Sequence, residues 1–204
     1  IIFVNIEIMI NRSENYYNEQ KWRKTLNEAG GGVMMMNAVH FIDVLLWMFG
    51  DVKSVYGKIE RVKHDIEVED TASALLKFKS KTLASIHAAN SADYNHPGRI
   101  MIYGSKKSLM IEGSNIVEMA NPGSWDSIAG RLKNATTSRL PLKISKMRRY
   151  QPGSIAEQLK LFVDGIVNNK QVDLPSALDG KKAIEVVLAI YRSSKSGKEI
   201  IINK

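Results

Sequence analysis

The chain has 204 residues, 44% of them hydrophobic, enough for one large domain or two small ones around an ordinary buried core. It contains no cysteine, which excludes disulfides and thiolate metal sites and suits a reducing, cytoplasmic setting. The net charge of +8 is local: no acid falls between Asp126 and Glu157, while Arg131, Lys133, Arg139, Lys143, Lys146, Arg148 and Arg149 do.

In chain order, "IIFVNIEIMI" (1–10) is β-branched and alternates loosely, which predicts a strand. No basic segment followed by an apolar one opens the chain, so no signal peptide is expected. Residues 11–29, "NRSENYYNEQKWRKTLNEA", are polar and aromatic without a sustained period and read as a loop or broken helix. Three glycines follow, then an apolar run from Val33 to Phe49 whose length favours a helix and which Gly50 stops. That run is short for a membrane span and is interrupted by Asn37, His40 and Asp43, so no membrane partner is expected.

The middle of the chain predicts strands at 52–62, 70–79, 82–91, 98–104 and 108–113, and a further one at "NIVEMA". Turn signals between them, such as "SKT", "YNHPG" and "GSKK", imply hairpins and antiparallel pairing. Residues 120–153 carry the basic excursion. Ser154 to Asn168 has apolar residues at helical spacing, with Ser154 as N-cap and Glu157 at the capping-box position. Ser176 to Lys195 predicts a second amphipathic helix ended by Gly197, and "KEIII" (198–202) a closing strand. The class is α+β: one domain over 1–204, an open, predominantly antiparallel mixed sheet with helices on one face. "ASALLKF" places apolar residues on both faces of its strand, which predicts a partner on the outer face of the sheet.

On a helix, Met36, His40, Asp43 and Trp47 form one stripe with Asn37 beside it. Asp43 lies one turn beyond His40, within reach of an imidazole nitrogen, an arrangement that fixes the tautomer and suits proton transfer. The same pair could equally be buried and satisfy only itself. The glycines at 30–32 could let backbone N–H groups approach a ligand or simply allow close packing; they are not a G-x-G-x-x-G fingerprint. The basic stretch (127–156) has Tyr150 as its one aromatic, so base stacking is poorly served and no nucleic-acid partner is expected. His64, His87 and His96 have no ligand spacing, so no metal is predicted.

The segments "YYNEQKWRKTLNEAGGGVMMMNAVHFIDVLLWMFGDVKSV", "VEDTASALLKFKSKTLASIHA", "HPGRIMIYGSKKSLMIEG" and "LPSALDGKKAIEVVLAIYRSSKSGKEI", in this order and spacing, resemble the C-terminal domain of the Gfo/Idh/MocA oxidoreductase family. That family pairs an N-terminal Rossmann domain, which binds NAD or NADP, with an open-sheet domain that shapes the substrate pocket and forms oligomers through its sheet. The resemblance implies a sugar, nucleotide-sugar or polyol substrate, NAD or NADP in the whole protein but none on this chain alone, and a dimer or tetramer. It implies that His40 is the proton-transfer histidine and Asp43 its acidic companion, with Asn37, Trp22 and Arg23 near the substrate. Met36 departs from the pattern, standing where Asp or Asn is usual, and a thioether accepts only weak hydrogen bonds. Lys24 and Lys107 stand where glycines are common. The Rossmann half, with its glycine fingerprint and the lysine of its Glu-Lys-Pro motif, is not in this chain. The alternative is a non-catalytic stand-alone or degenerate relative acting in self-association or ligand sensing.

Overall fold

Alternation at every second residue makes strand β1 (Phe3–Met9), with Val4, Ile6 and Ile8 buried and the residues between them half-exposed. The structure, a computed structural model, describes residues 1–96, 98–113, 115–119, 154–172 and 174–202. The polar segment after β1 is a broken helix: α1 (Glu14–Glu19), capped by Ser13, a 3₁₀ turn (Lys21–Lys24) and α2 (Leu26–Ala29). The apolar run starts with a π-helical turn (Met34–Ala38) and continues as α3 (Val39–Phe49). Strands β2 (Val52–Glu60), β3 (Thr71–Phe78), β4 (Leu83–Ala89), β5 (Arg99–Tyr103), β6 (Ser108–Glu112) and β7 (Asn115–Met119) follow. Helices α4 (Ser154–Val167) and α5 (Ala177–Ser196) and the short β8 (Ile200–Ile201) end the described chain. The basic excursion lies outside the described residues, as do the side chains of the proposed capping pair Ser154 and Glu157.

The strands form one sheet in the order β7-β6-β5-β1-β4-β3-β2-β8. β1 runs parallel to β4, and every other neighbouring pair is antiparallel. The expected class therefore holds, with β1 in mid-sheet rather than at an edge. One face is the core: Ile6, Ile86, Leu76, Phe78 and Ile100 meet Ile42 and Leu45 of α3 and Val186, Val187 and Ile190 of α5. Helix α5 approaches β2 so closely that a Cβ on Gly57 would stand 2.7 Å from Ile190. The buried Ser193 hydroxyl accepts from the Gly57 N–H (3.0 Å) and donates to the Lys198 carbonyl (2.6 Å). On the other face Tyr56, Leu75 and Leu83 are exposed, Leu75 by 58%. Helix α4 differs from expectation: Leu159, Phe162, Val163 and Ile166 of its apolar stripe are exposed, uncovered by the described residues.

Leu26–Phe49 has the length and composition of a membrane-crossing helix, with a mean hydropathy of 1.6, longer than the run read from the sequence. In the fold it is no single rod. Gly30 in the left-handed conformation (φ 70°) breaks it, and its apolar character is explained by Val33, Met34, Ala38, Ile42 and Leu45, all buried in the core.

The β2–β3 connection is organised by Asp70, which is fully buried. Its carboxylate accepts from the N–H groups of Val62 (2.8 Å), Lys63 (2.9 Å) and His64 (3.0 Å) and from the Thr71 hydroxyl (3.0 Å). The His64 ring lies between Asp70 (Nδ1, 3.1 Å) and the Arg12 carbonyl (Nε2, 2.8 Å), so Nε2 carries a proton. His64 is thus a structural strut joining the segment after β1 to this loop. Burial alone would push the Asp70 carboxyl up, but the Val62, His64 and Lys63 N–H donors and Thr71 outweigh it and hold it below its ordinary value. Its folded pKa is below its unfolded one, so this stabilisation is complete above the unfolded value of about 3.9 and is lost as pH falls through the folded value. Asp70→Asn should cost about 1–3 kcal/mol at pH 7 and much less at pH 2, measured by urea unfolding at both; an equal cost at both would contradict the assignment.

Candidate active site

The site is built around the start of the apolar helix. Gly31 and Gly32 have no room for a side chain: a Cβ on Gly31 would stand 2.1 Å from the Tyr191 hydroxyl, and one on Gly32 would stand 1.7 Å from the Glu69 carbonyl oxygen. The first N–H groups of a helix have no partner within it and need one from elsewhere. Here one residue supplies three of them. The Glu69 carboxylate accepts from Gly32 N (2.9 Å) and Met34 N (2.9 Å), and the Glu69 carbonyl accepts from Val33 N (3.0 Å). Tyr191 of α5 donates its hydroxyl to the same carboxylate (2.8 Å). Burial pushes the Tyr191 phenol up, and the adjacent Glu69 charge pushes it the same way, so it remains a donor.

Of the two readings of the glycine turn, close packing is the one the fold adopts. A helix start of this kind attracts anions, but the N–H groups of Gly32, Val33 and Met34 are already taken by Glu69. The turn therefore does not fit the pyrophosphate of a dinucleotide.

Beyond the π turn, His40 is exposed at the mouth of an apolar cavity of about 280 Å³, lined also by Phe41, Val44, Gly98, Ile100 and Ile111. Gly98 (φ 79°) lets Phe41 lie against the backbone, where a Cβ would come within 2.3 Å of the ring. Asp43 is also exposed, but it lines a second cavity of about 320 Å³ with Trp47, Pro175, Asp179 and Lys182. His40 and Asp43 are not hydrogen-bonded to each other, which corrects the pairing their spacing suggested. Exposed partners three residues apart gain only about 0.2–0.5 kcal/mol, too little to hold two wet side chains together. Nor is either buried, so the self-satisfied core pair is excluded too.

Met36 and Asn37 are half-buried within the π turn, one turn before His40. Trp22 and Arg23 stand apart, on the 3₁₀ turn. Trp22 donates Nε1–H to Gln20 (3.0 Å), and Arg23 donates to the Tyr16 carbonyl (2.8 Å) while stacking on the Tyr16 ring at 4.0 Å. No hydrogen bond, ion pair or ring contact joins Trp22 or Arg23 to His40. Among the described residues no group of three or more His, Asp or Glu side chains is arranged to hold a metal.

Two residues that matter here, Glu69 and Tyr191, escaped the sequence reading. The available signal was an acid in "IEVED", just before a strand, but its partners lie 35, 37 and 122 positions away.

The sequence profile of the GFO/IDH/MocA C-terminal domain matches residues 1–110, more than half of the chain. The chain belongs to this family. A comparison with curated proteins found no match. Among solved structures, the GFO/IDH/MocA domain is similar to the WlbA dehydrogenase of Chromobacterium violaceum, in complex with NADH and UDP-GlcNAcA. The two are 25% identical with a TM-score of 0.73, over 100% of this chain and 55% of that one. The WlbA dehydrogenase of Bordetella pertussis, with the same ligands, is 22% identical with a TM-score of 0.75 and the same coverage. Levoglucosan dehydrogenase, in complex with NADH and L-sorbose, is 17% identical with a TM-score of 0.74, over 100% of this chain and 59% of that one. The chain thus spans a little over half the length of these relatives.

Gly32→Ala should destabilise the GFO/IDH/MocA domain by about 3 kcal/mol or more, because the new methyl group meets backbone that has nowhere to move. Gly180→Ala, in α5 with open space around it, should instead gain about 0.5–1 kcal/mol. Denaturant unfolding of both variants checks the contrast; a Gly32→Ala protein as stable as wild type would contradict the packing described.

Proposed function

We propose that this chain is the substrate-binding and self-association part of an NAD(P)-dependent oxidoreductase acting on a sugar, polyol or nucleotide sugar. The observation that carries the reading is the placement of His40. In a chain that belongs to an oxidoreductase family, a histidine with no partner among the described residues stands exposed at an otherwise apolar cavity, on the outward side of a helix whose inward side is core. Such a ring can exchange a proton with a substrate hydroxyl. The nicotinamide cofactor supplies the hydride chemistry in such a protein, and this chain alone is inactive. The neighbours' complexes with NADH and with sugar or nucleotide-sugar ligands support the cofactor and substrate classes.

In this reading His40 takes or gives the hydroxyl proton, Asp43 acts on it through solvent or substrate rather than by direct contact, and Asn37 offers an amide to a substrate oxygen. Met36 contributes shape and no strong hydrogen bond. Trp22 and Arg23 contact the substrate only if it reaches beyond the helix to the 3₁₀ turn, as an extended nucleotide sugar would. The exposed outer sheet face, with Tyr56, Leu75 and Leu83, serves self-association into a dimer or tetramer. Met36 also supports a second reading, a degenerate relative that senses a ligand without turning it over.

In the full-length protein, His40→Ala should lower turnover by about two to four orders of magnitude without loss of fold, measured by nicotinamide absorbance. Near-wild-type turnover would sink the assignment. Leu75→Arg should shift the sedimenting species towards monomer; an unchanged assembly would remove the sheet face as the contact.

A further inference from the structure

We infer that the outer face of the sheet pairs with a second copy of this chain about a two-fold axis that runs along the strands between β1 and β4, and that the pairing tightens as His87 gains a proton. The inference rests on the reading of this face as a self-association surface, and adds its register and its control.

Strand pairing lines up side chains across the sheet. Successive registers place Glu112, Arg99, Glu7, His87, Ser73 and Lys58 in one unbroken row over β6, β5, β1, β4, β3 and β2. The adjacent row, over the same strands, is Met110, Met101, Asn5, Ser85, Leu75 and Tyr56. The residues between the two rows, such as Ile6, Ile86, Ala74 and Ile100, are core, so both rows lie on the outer face. The first row is divided by charge. On the β1 side Glu112 and Glu7 share Arg99, at 2.7 and 3.7 Å. On the β4 side stand His87 and Lys58, and no carboxylate. The second row is polar at its centre, where Ser85 Oγ donates to Asn5 Oδ1 (2.6 Å), and apolar towards both ends.

Sheets stacked face to face keep their strands within about 30° of each other. A two-fold axis along the strands sets the β1 side of one copy on the β4 side of the other. Between β1 and β4, it lays Glu112 on Lys58 and Glu7 on His87. In the second row it lays Met101 on Leu75, Met110 on Tyr56 and Asn5 on Ser85. Moved one strand to either side, it would lay Met101 on Asn5 or Leu75 on Ser85. An axis across the strands would turn the charged row onto itself, acid on acid and base on base, which is destabilising. The chosen axis gathers two Glu7 and two His87 side chains. Within its own chain His87 is faced by Glu7 on β1 and by Ser73 on β3, whose Oγ lies 3.0 Å from Nδ1. Arg99 and Lys58 are one strand further on. With neutral rings, two carboxylates approach each other across the axis; with protonated rings, the charges alternate. A histidine ring changes charge between about pH 5 and 8. Pairing that favours the protonated ring is tighter near pH 6 and weakens as the pH rises through neutrality.

Sedimentation of the full-length protein over a dilution series gives the concentration at which it dissociates. Glu112→Lys and Lys58→Glu each put like charges face to face and should raise that concentration by about tenfold or more. The double variant should return to within about threefold of wild type. Within one chain the two residues are five strands apart, about 24 Å, so the rescue has to come from a second copy. Wild type should dissociate at about fivefold higher concentration at pH 8 than at pH 6, and His87→Gln should flatten that difference. If the wild type associates but the double variant is no better than the single ones, the register is wrong and self-association stands. If association does not change with pH, or changes equally in His87→Gln, the control by His87 is wrong. A wild type that is monomeric at every concentration and at both pH values removes the self-association reading itself, and this inference with it.

Discussion

A helix that starts inside a protein must find acceptors for N–H groups that no residue of its own can satisfy. In this fold that requirement falls on the helix with the candidate proton-transfer residue, and Glu69 meets it. The solution joins three parts of the chain: the acid precedes β3, the N–H groups open the helix after the glycine turn, and Tyr191 comes from α5. Its neighbours extend the pattern. Glu67 accepts from Leu26 N (2.9 Å) at the start of α2, and Asp70 gathers the loop at 62–64. The segment "EVED" therefore works as a row of carboxylates, each tying a different piece of backbone to the beginning of one strand. Glu67 is exposed, whereas the buried charges of Glu69 and Asp70 are tolerable because each is met by several donors.

This scaffold separates the two duties of the helix. Its inward residues build the core against the sheet and α5, while its outward residues, His40, Asp43, Val44 and Trp47, are left exposed, Trp47 by 82%. An exposed tryptophan beside two polar groups that have no partner among the described residues is costly decoration for a surface that meets only water. It suits a face that works against a ligand or another domain, which agrees with a chain that spans just over half the length of its structural relatives. In the proposed reading function lies on the outward stripe, and the inward residues hold that stripe in place.

Much of the fold was legible in the sequence because its signals are local. Two-residue alternation gave Val4, Ile6 and Ile8 one face of β1; Ser176 and Gly197 bound α5 as the start and stop residues suggested. The long-range features were not legible. The parallel pairing of β1 with β4 brings together Phe3 and Leu83, and no local pattern encodes it. The π turn was read as ordinary helix, since a run such as "MMMNA" does not declare which hydrogen-bond spacing it will adopt. At the site, spacing placed His40 and Asp43 on one stripe correctly but could not show that solvent would win both side chains. Glu69 was invisible for the opposite reason: an acid before a strand looks like a surface residue until its partners are known.

The central claim is that this chain is one half of a two-part oxidoreductase. The most direct measurement is the intact mass of the native polypeptide that carries this sequence, from cells that produce it. The account predicts a single chain of roughly 35–45 kDa, the size reached when a nucleotide-binding domain of ordinary length is added. A native polypeptide of 22.8 kDa, the mass of these 204 residues alone, would contradict it.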